Sequence, residues 1–222
     1  MKICVCLGAD WENHVPVYLQ KADLVELRID LMFAWRTTEV ALPDVLRPLL
    51  DGNNRKIVLT CRMGTISQEM RYNLFLALLP LSPAYIDLEY DTPQTEWEVF
   101  MELAQKHRTK IIASFHHDGE TPAYEELRAV AEQSLFRGAD LVKIVCRCRD
   151  AAEEARLMAL YKIPSCAGRL TAFSMGPYGL SSRLHAAALG APLLYAAPDE
   201  GAPTAPGQPS LSQLQAHLLN VL

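Results

Sequence analysis

The feature that most limits what this chain can fold into is a short, almost wholly apolar run followed by an amphipathic helical stretch, repeated eight times. The pairs are 3–7 before 12–21, 24–29 before 38–50, 56–61 before 68–79, 85–89 before 95–106, 110–115 before 123–137, 141–145 before 151–161, 163–167 before 179–189, and 192–196 before 211–222. Apolar runs too short for helices, alternating with helices, are the mark of a parallel sheet covered on both faces. Eight such units in 222 residues predict an α/β fold of the (β/α)8 TIM barrel type with brief connections, slightly under the usual length of about 250 residues. A doubly wound open sheet would have about five or six strands and a glycine-rich first turn. Here the first turn is Gly8-Ala9-Asp10-Trp11-Glu12, without that signal. The Pro/Gly-rich segment 198–209 reads as the loop after strand eight, because the apolar pattern resumes at Leu211. The expectation is one barrel domain over residues 1–222.

Composition narrows the function. Twenty-one basic and 26 acidic residues give a formal charge of −5 without long blocks of either sign, which disfavours nucleic acid and anionic membranes as partners and points to a small ligand. Met1-Lys2 leads directly into Ile3-Cys4-Val5-Cys6-Leu7, too short for an exported or spanning segment, so a cytoplasmic location is expected. Cys4, Cys6, Cys61, Cys146, Cys148 and Cys166 lie in apolar runs without a C-x-x-C pair and read as reduced core thiols. Cys4/Cys6 and Cys146/Cys148 share strand faces by simple alternation, so a metal site built from them is disfavoured.

In a barrel of this type, the carboxyl ends of the strands line the site. Strand six carries Lys143 among aliphatic neighbours, Leu141-Val142-Lys143-Ile144-Val145. A lysine so placed snorkels to an edge, pairs with a carboxylate, or loses its proton. The last outcome yields a nucleophile for a Schiff base, with a pKa lowered to about 7–8. Strand two ends Glu26-Leu27-Arg28, with Glu26 and Arg28 on one face; strand three ends at Arg62; strand five ends Ser114-Phe115-His116-His117. Only one of the two histidines can face the barrel axis, and the parity of Ser114 favours His116. With Arg183 beyond strand seven, three arginines and a lysine converge on the rim, an arrangement suited to an acidic substrate.

These pieces, with Thr60-Cys61-Arg62, Tyr85-Ile86-Asp87-Leu88-Glu89, Thr121-Pro122, Ser174-Met175, Ser182-Arg183-Leu184 and Ala205-Pro206-Gly207-Gln208, resemble the type I 3-dehydroquinate dehydratases over nearly the whole chain. The resemblance implies Lys143 as the imine-forming lysine and His116 as general acid/base. It implies Glu26, Arg28, Arg62, Arg183 and Gln208 as substrate-binding groups, Cys6 and Thr204 at positions where such proteins commonly carry serines, and Tyr195 at a family aromatic. The implied substrate is anionic 3-dehydroquinate, the step is a dehydration in the shikimate pathway, and no metal or organic cofactor is required. Oligomeric state is left open, a homodimer being one outcome.

Two departures stand out. The family places a Glu four residues beyond the strand-three arginine, near the catalytic histidine, where this chain has Ile66; Glu69 or Asp87 are the candidate replacements. Phe173 replaces a common Met before Ser174. Competing readings are a class I aldolase, which the acidic loop Asp199-Glu200 disfavours, a non-catalytic barrel, and a dehydratase half cut from a fusion with shikimate dehydrogenase.

Overall fold

A computed structural model describes residues 1–9, 11–33 and 42–219, the side chains of 33, 42 and 43 excepted. Eight parallel strands, β1 (Lys2–Leu7), β2 (Leu24–Arg28), β3 (Ile57–Thr60), β4 (Tyr85–Glu89), β5 (Lys110–His117), β6 (Leu141–Cys146), β7 (Leu170–Ser174) and β8 (Leu193–Ala196), form a nearly closed barrel. The described helices are α1 (Trp11–Lys21), α2 (Ile29–Phe33), α3 (Leu42–Leu50), α4 (Gln68–Leu78), α5 (Gln94–Lys106), α6 (Tyr124–Phe136), α7 (Ala151–Met158), α8 (Gly179–Ala188) and α9 (Leu211–Leu218). Backbone ladders run in the order β7-β6-β5-β4-β3-β2-β1-β8.

The seam between β7 and β8 is crossed by side chains. Thr171 Oγ1 donates to the Leu193 carbonyl at 2.8 Å. Above it, Arg183 Nε donates to the Tyr195 carbonyl at 2.9 Å and Nη1 to the Ser174 carbonyl at 3.3 Å.

Alternation along each strand sorts the side chains. Cys4, Cys6, Leu24, Val58, Ile112, Val145, Phe173, Leu193 and Tyr195 pack together inside the cylinder. Their strand neighbours Val5, Leu7, Val25, Leu27, Leu59, Ile86 and Leu194 pack outward under the helices. The double burial explains why the runs read as continuously apolar.

Two expectations need correction. Strand seven is Leu170–Ser174, not 163–167. Pro164 has no amide hydrogen to give to a ladder, and Pro164–Cys166 instead forms a 3-10 turn, followed by Gly168 at φ +67°. Ser174 is therefore the last residue of the strand rather than a residue after it. A short helix, α2, directly follows β2 and was not anticipated. The predicted helix 38–50 is seen as α3 from Leu42, and the residues before it, like 220–222 of the last predicted helix, lie outside the described residues.

Candidate active site

The strands deliver their polar residues to a single cleft at their carboxyl ends. It is lined by all nine residues singled out from the sequence: Cys6, Glu26, Arg28, Arg62, His116, Lys143, Arg183, Thr204 and Gln208. Thr60, Phe173, Met175 and Tyr195 complete much of the wall.

Lys143 sits at the floor, 5% exposed, so the solvent-reaching alternative does not hold. Its Nζ donates a hydrogen bond to Asp87, lies 3.5 Å from Glu26 Oε1, and stands 4.6 Å from the centre of the Tyr195 ring. Burial alone would favour the neutral amine, but Asp87 and Glu26 outweigh it and the pKa is pushed up to about 12. Of the three outcomes open to a lysine among aliphatic sequence neighbours, the carboxylate pairing holds, and Lys143 is an ammonium at neutral pH. Asp87, considered as a partner for the histidine, instead serves the lysine. Glu26 is held below the usual carboxylate range, because Lys143 and Arg28 together with hydrogen bonds from Cys6 and Thr60 overcome its own desolvation. Thr60 Oγ1 donates to Glu26 at 2.7 Å.

His116 faces the cleft, while His117 stacks on Phe115. Burial first, then Lys143, Arg62 and Arg28, hold the His116 imidazole well below its ordinary pKa, so it is neutral. Its Nδ1 is buried and has no hydrogen-bond partner among the described residues. Neither candidate replacement for the missing Glu reaches that nitrogen. Glu69 belongs to an open groove on α4 and α5 with Tyr72 and Glu96, and Ile66 packs against the outer core. The other strand-four acid, Glu89, accepts a hydrogen bond from the Met63 amide and lies 3.7 Å from Arg62 Nε, which anchors the turn after β3.

The three arginines differ. Arg28 already holds a carboxylate two-pronged, with Nε to Asp30 Oδ1 at 2.9 Å and Nη2 to Asp30 Oδ2 at 2.6 Å. Arg62 is about a third exposed and only loosely paired. Arg183 is fully buried and pairs with no carboxylate among the described residues; it donates instead to the carbonyls of Tyr195, Ser174 and Gly179. Burial lowers its pKa to about 10, which still leaves it a cation at neutral pH. A buried guanidinium without a counter-charge is a ready acceptor for an anion.

The loop after β8 supplies the roof. Gln208 Oε1 accepts from the Thr204 amide and hydroxyl, each at 3.0 Å, and Gln208 lines the cleft with Cys6. Burial and the neighbouring Glu26 push the Cys6 thiol well up, so Cys6 is a polar lining group rather than a nucleophile. Gly207, at φ +69°, lies so close to the β7–α8 turn that a Cβ there would fall 2.0 Å from the Gly176 carbonyl oxygen. The Gly176 amide also donates to the Pro206 carbonyl at 2.9 Å, which fixes the roof to the wall.

Of the two acids open as partners for His116, Asp87 accepts from Lys143 instead, and Thr60 and the Phe173 ring are cleft residues to which the residue pattern assigned no role. Strand-end position is the signal that could have found Thr60, two residues before Arg62.

Fold and cleft together define a (β/α)8 barrel with a lysine-centred polar site at the carboxyl ends of its strands. The family model for Type I 3-dehydroquinase matches residues 3–221, and the chain belongs to that family. It is 32% identical over 203 residues to the 3-dehydroquinate dehydratase of Pyrococcus abyssi, covering 89% of this chain and 86% of that protein. It is 34% identical over 205 residues to that of Thermococcus gammatolerans, covering 89% and 87%. The crystal structure of 3-dehydroquinate dehydratase from Geobacillus kaustophilus shares the fold, with a TM-score of 0.83, 18% identity, and coverage of 99% of this chain and 90% of that one. No described helix is long and apolar enough to cross a membrane.

Proposed function

We propose that the chain dehydrates 3-dehydroquinate to 3-dehydroshikimate, a step of the shikimate pathway, through an imine formed on Lys143. The observation that carries this reading is the pairing, in one cleft, of a buried lysine with a neutral imidazole and a buried guanidinium that meets no carboxylate among the described residues. Family membership of the chain supports the same reaction.

In this reading Arg183 and Arg62 take the substrate carboxylate, while Glu26, Arg28, Gln208, Thr204 and Cys6 contact its hydroxyls. A fixed carboxylate sets the ring in the cleft, and such positioning contributes several kcal/mol to the rate. Attack requires the amine free of its proton, and Asp87, already hydrogen-bonded to it, is the acceptor. The amine adds to the C3 ketone, the carbinolamine loses water, and a protonated imine results. That cation acidifies the C2 hydrogen, which neutral His116 removes. The enamine then expels the C1 hydroxyl, which leaves as water with the proton carried by His116, and hydrolysis of the product imine frees Lys143. The imine nitrogen is the electron sink, so the scheme calls for no cofactor.

The reading takes residues 1–222 as one catalytic barrel. Six buried, unpaired cysteines fit a reducing compartment such as the cytoplasm. A homodimer is compatible with the outward-facing apolar side chains of Phe136 and Leu219, and light scattering tests it.

Treatment with 3-dehydroquinate and borohydride, followed by peptide mass mapping, tests the chemistry. Reduced adduct on Lys143 is expected; turnover without any adduct overturns the imine route.

A further inference from the structure

Two aromatic rings on the cleft wall each carry one of the site's cations. The Arg183 guanidinium lies 4.1 Å from the centre of the Phe173 ring, and Lys143 Nζ lies 4.6 Å from the centre of the Tyr195 ring. The rings touch each other, with centroids 5.9 Å apart and planes tilted by 39°. Phe173 on β7 and Tyr195 on β8 flank the seam that Arg183 crosses, so the sequence cation, ring, ring, cation runs along one side of the cleft.

From this arrangement we infer that the Tyr195 ring face is a positioning and charge-stabilising element for the imine, holding the nitrogen of Lys143 in its cationic state. The inference rests on the dehydratase reading. The negative face of an aromatic ring attracts a cation within about 6 Å, and more strongly where water is excluded. Tyr195 is 3% exposed and Lys143 5%. The resting ammonium already has the carboxylates of Asp87 and Glu26 to balance it. In the dehydratase reading Asp87 has taken up the amine's proton before the imine forms, so the ring contributes more to the protonated imine than to the ammonium. The neutral amine, the carbinolamine and the enamine gain no such stabilisation. The ring therefore shifts the covalent intermediates toward the protonated imine, the species from which the C2 proton is lost.

The phenolic oxygen is not the source of this effect. It is buried with no hydrogen-bond partner among the described residues. Phe173 has the matching task for Arg183: it faces a guanidinium that no described carboxylate balances, where the usual family methionine would offer no ring.

The test keeps the shape of residue 195 constant while draining the ring of electron density. Tyr195→Phe is compared with variants carrying mono-, di- and trifluorinated phenylalanine at the same position, and with Tyr195→Met, each with its melting temperature recorded. For each, the fraction of Lys143 trapped by borohydride at equilibrium with 3-dehydroquinate and its product is measured, with kcat across pH. Tyr195→Phe is expected to match the parent within about twofold, and the trapped fraction and kcat to fall stepwise with fluorination, about tenfold across the series for a desolvated contact. Tyr195→Met should resemble the most fluorinated ring.

A flat response to fluorination overturns the inference, as does a Tyr195→Phe variant as impaired as Tyr195→Met, which would assign the effect to the hydroxyl. A fall in melting temperature with unchanged trapping would reduce Tyr195 to packing and also overturns it. If the unmodified protein gives neither adduct nor turnover, the dehydratase reading itself has failed. Adduct and turnover in the parent with a flat series defeats the ring alone.

Discussion

The amine of Lys143 on β6 reaches past β5 to hydrogen-bond the carboxylate of Asp87 on β4. Asp87→Asn leaves Glu26, 3.5 Å away, as the nearer remaining charge. Removing one partner of a buried ion pair costs about 3 kcal/mol or more, and a loss of that size is expected in denaturant unfolding at pH 7. The pH dependence has a defined sign. The folded pKa of about 12 lies above the ordinary 10.5, so the stabilisation is complete below 10.5 and is lost as pH rises through 12. In Asp87→Asn that alkaline loss should shrink.

His116 provides the opposite case. Its folded pKa lies well below 6.5, and the base must be neutral to act. The acid limb of kcat/KM, which reports the free enzyme, is therefore expected below 6.5, with little loss between pH 7 and 6. A midpoint at or above 6.5 would contradict the geometry described. His116→Asn should cut kcat about a hundredfold or more, the usual contribution of a positioned acid/base.

Arg183→Lys tests the division of labour at the seam. A lysine keeps a positive charge but cannot bond the carbonyls of Tyr195, Ser174 and Gly179 from one rigid fork. KM is expected to rise about tenfold, and stability to drop about 1–2 kcal/mol from lost charge-assisted hydrogen bonds. Unchanged values of both would mean that neither role exists.

Gly207→Ala places a methyl 2.0 Å from the Gly176 oxygen and forces a positive φ on alanine. The loop must shift, taking Gln208 and Thr204 with it. KM should rise while the circular dichroism spectrum, dominated by the helices of the barrel, stays as in the parent.

Much of this was legible in the residues. Burial on both faces makes each strand an apolar run, so seven of the eight strands fall within a residue or two of their expected places, and polar residues at strand ends could only meet in one cleft. What local sequence could not show was set by partners distant along the chain. Lys143 is surrounded by aliphatic residues in sequence, yet its charge is decided by Asp87, 56 residues away, and by Glu26. The misplaced strand seven has the same origin in reverse: 163–167 is apolar enough for a strand, but Pro164 lacks the donor a ladder needs. Among the described residues the Nδ1 of His116 has no partner, and position 66 carries an isoleucine that packs against the outer core and has no group to offer it.

The β7–β8 seam makes Arg183 a latch as well as a receptor. The same guanidinium that closes the cylinder from above is the one proposed to meet the incoming anion, so occupancy and closure reinforce each other. Amide hydrogens of Leu170–Ser174 and Leu193–Ala196 should then exchange with deuterium more slowly once the cleft is filled, and the staves on the far side should scarcely respond.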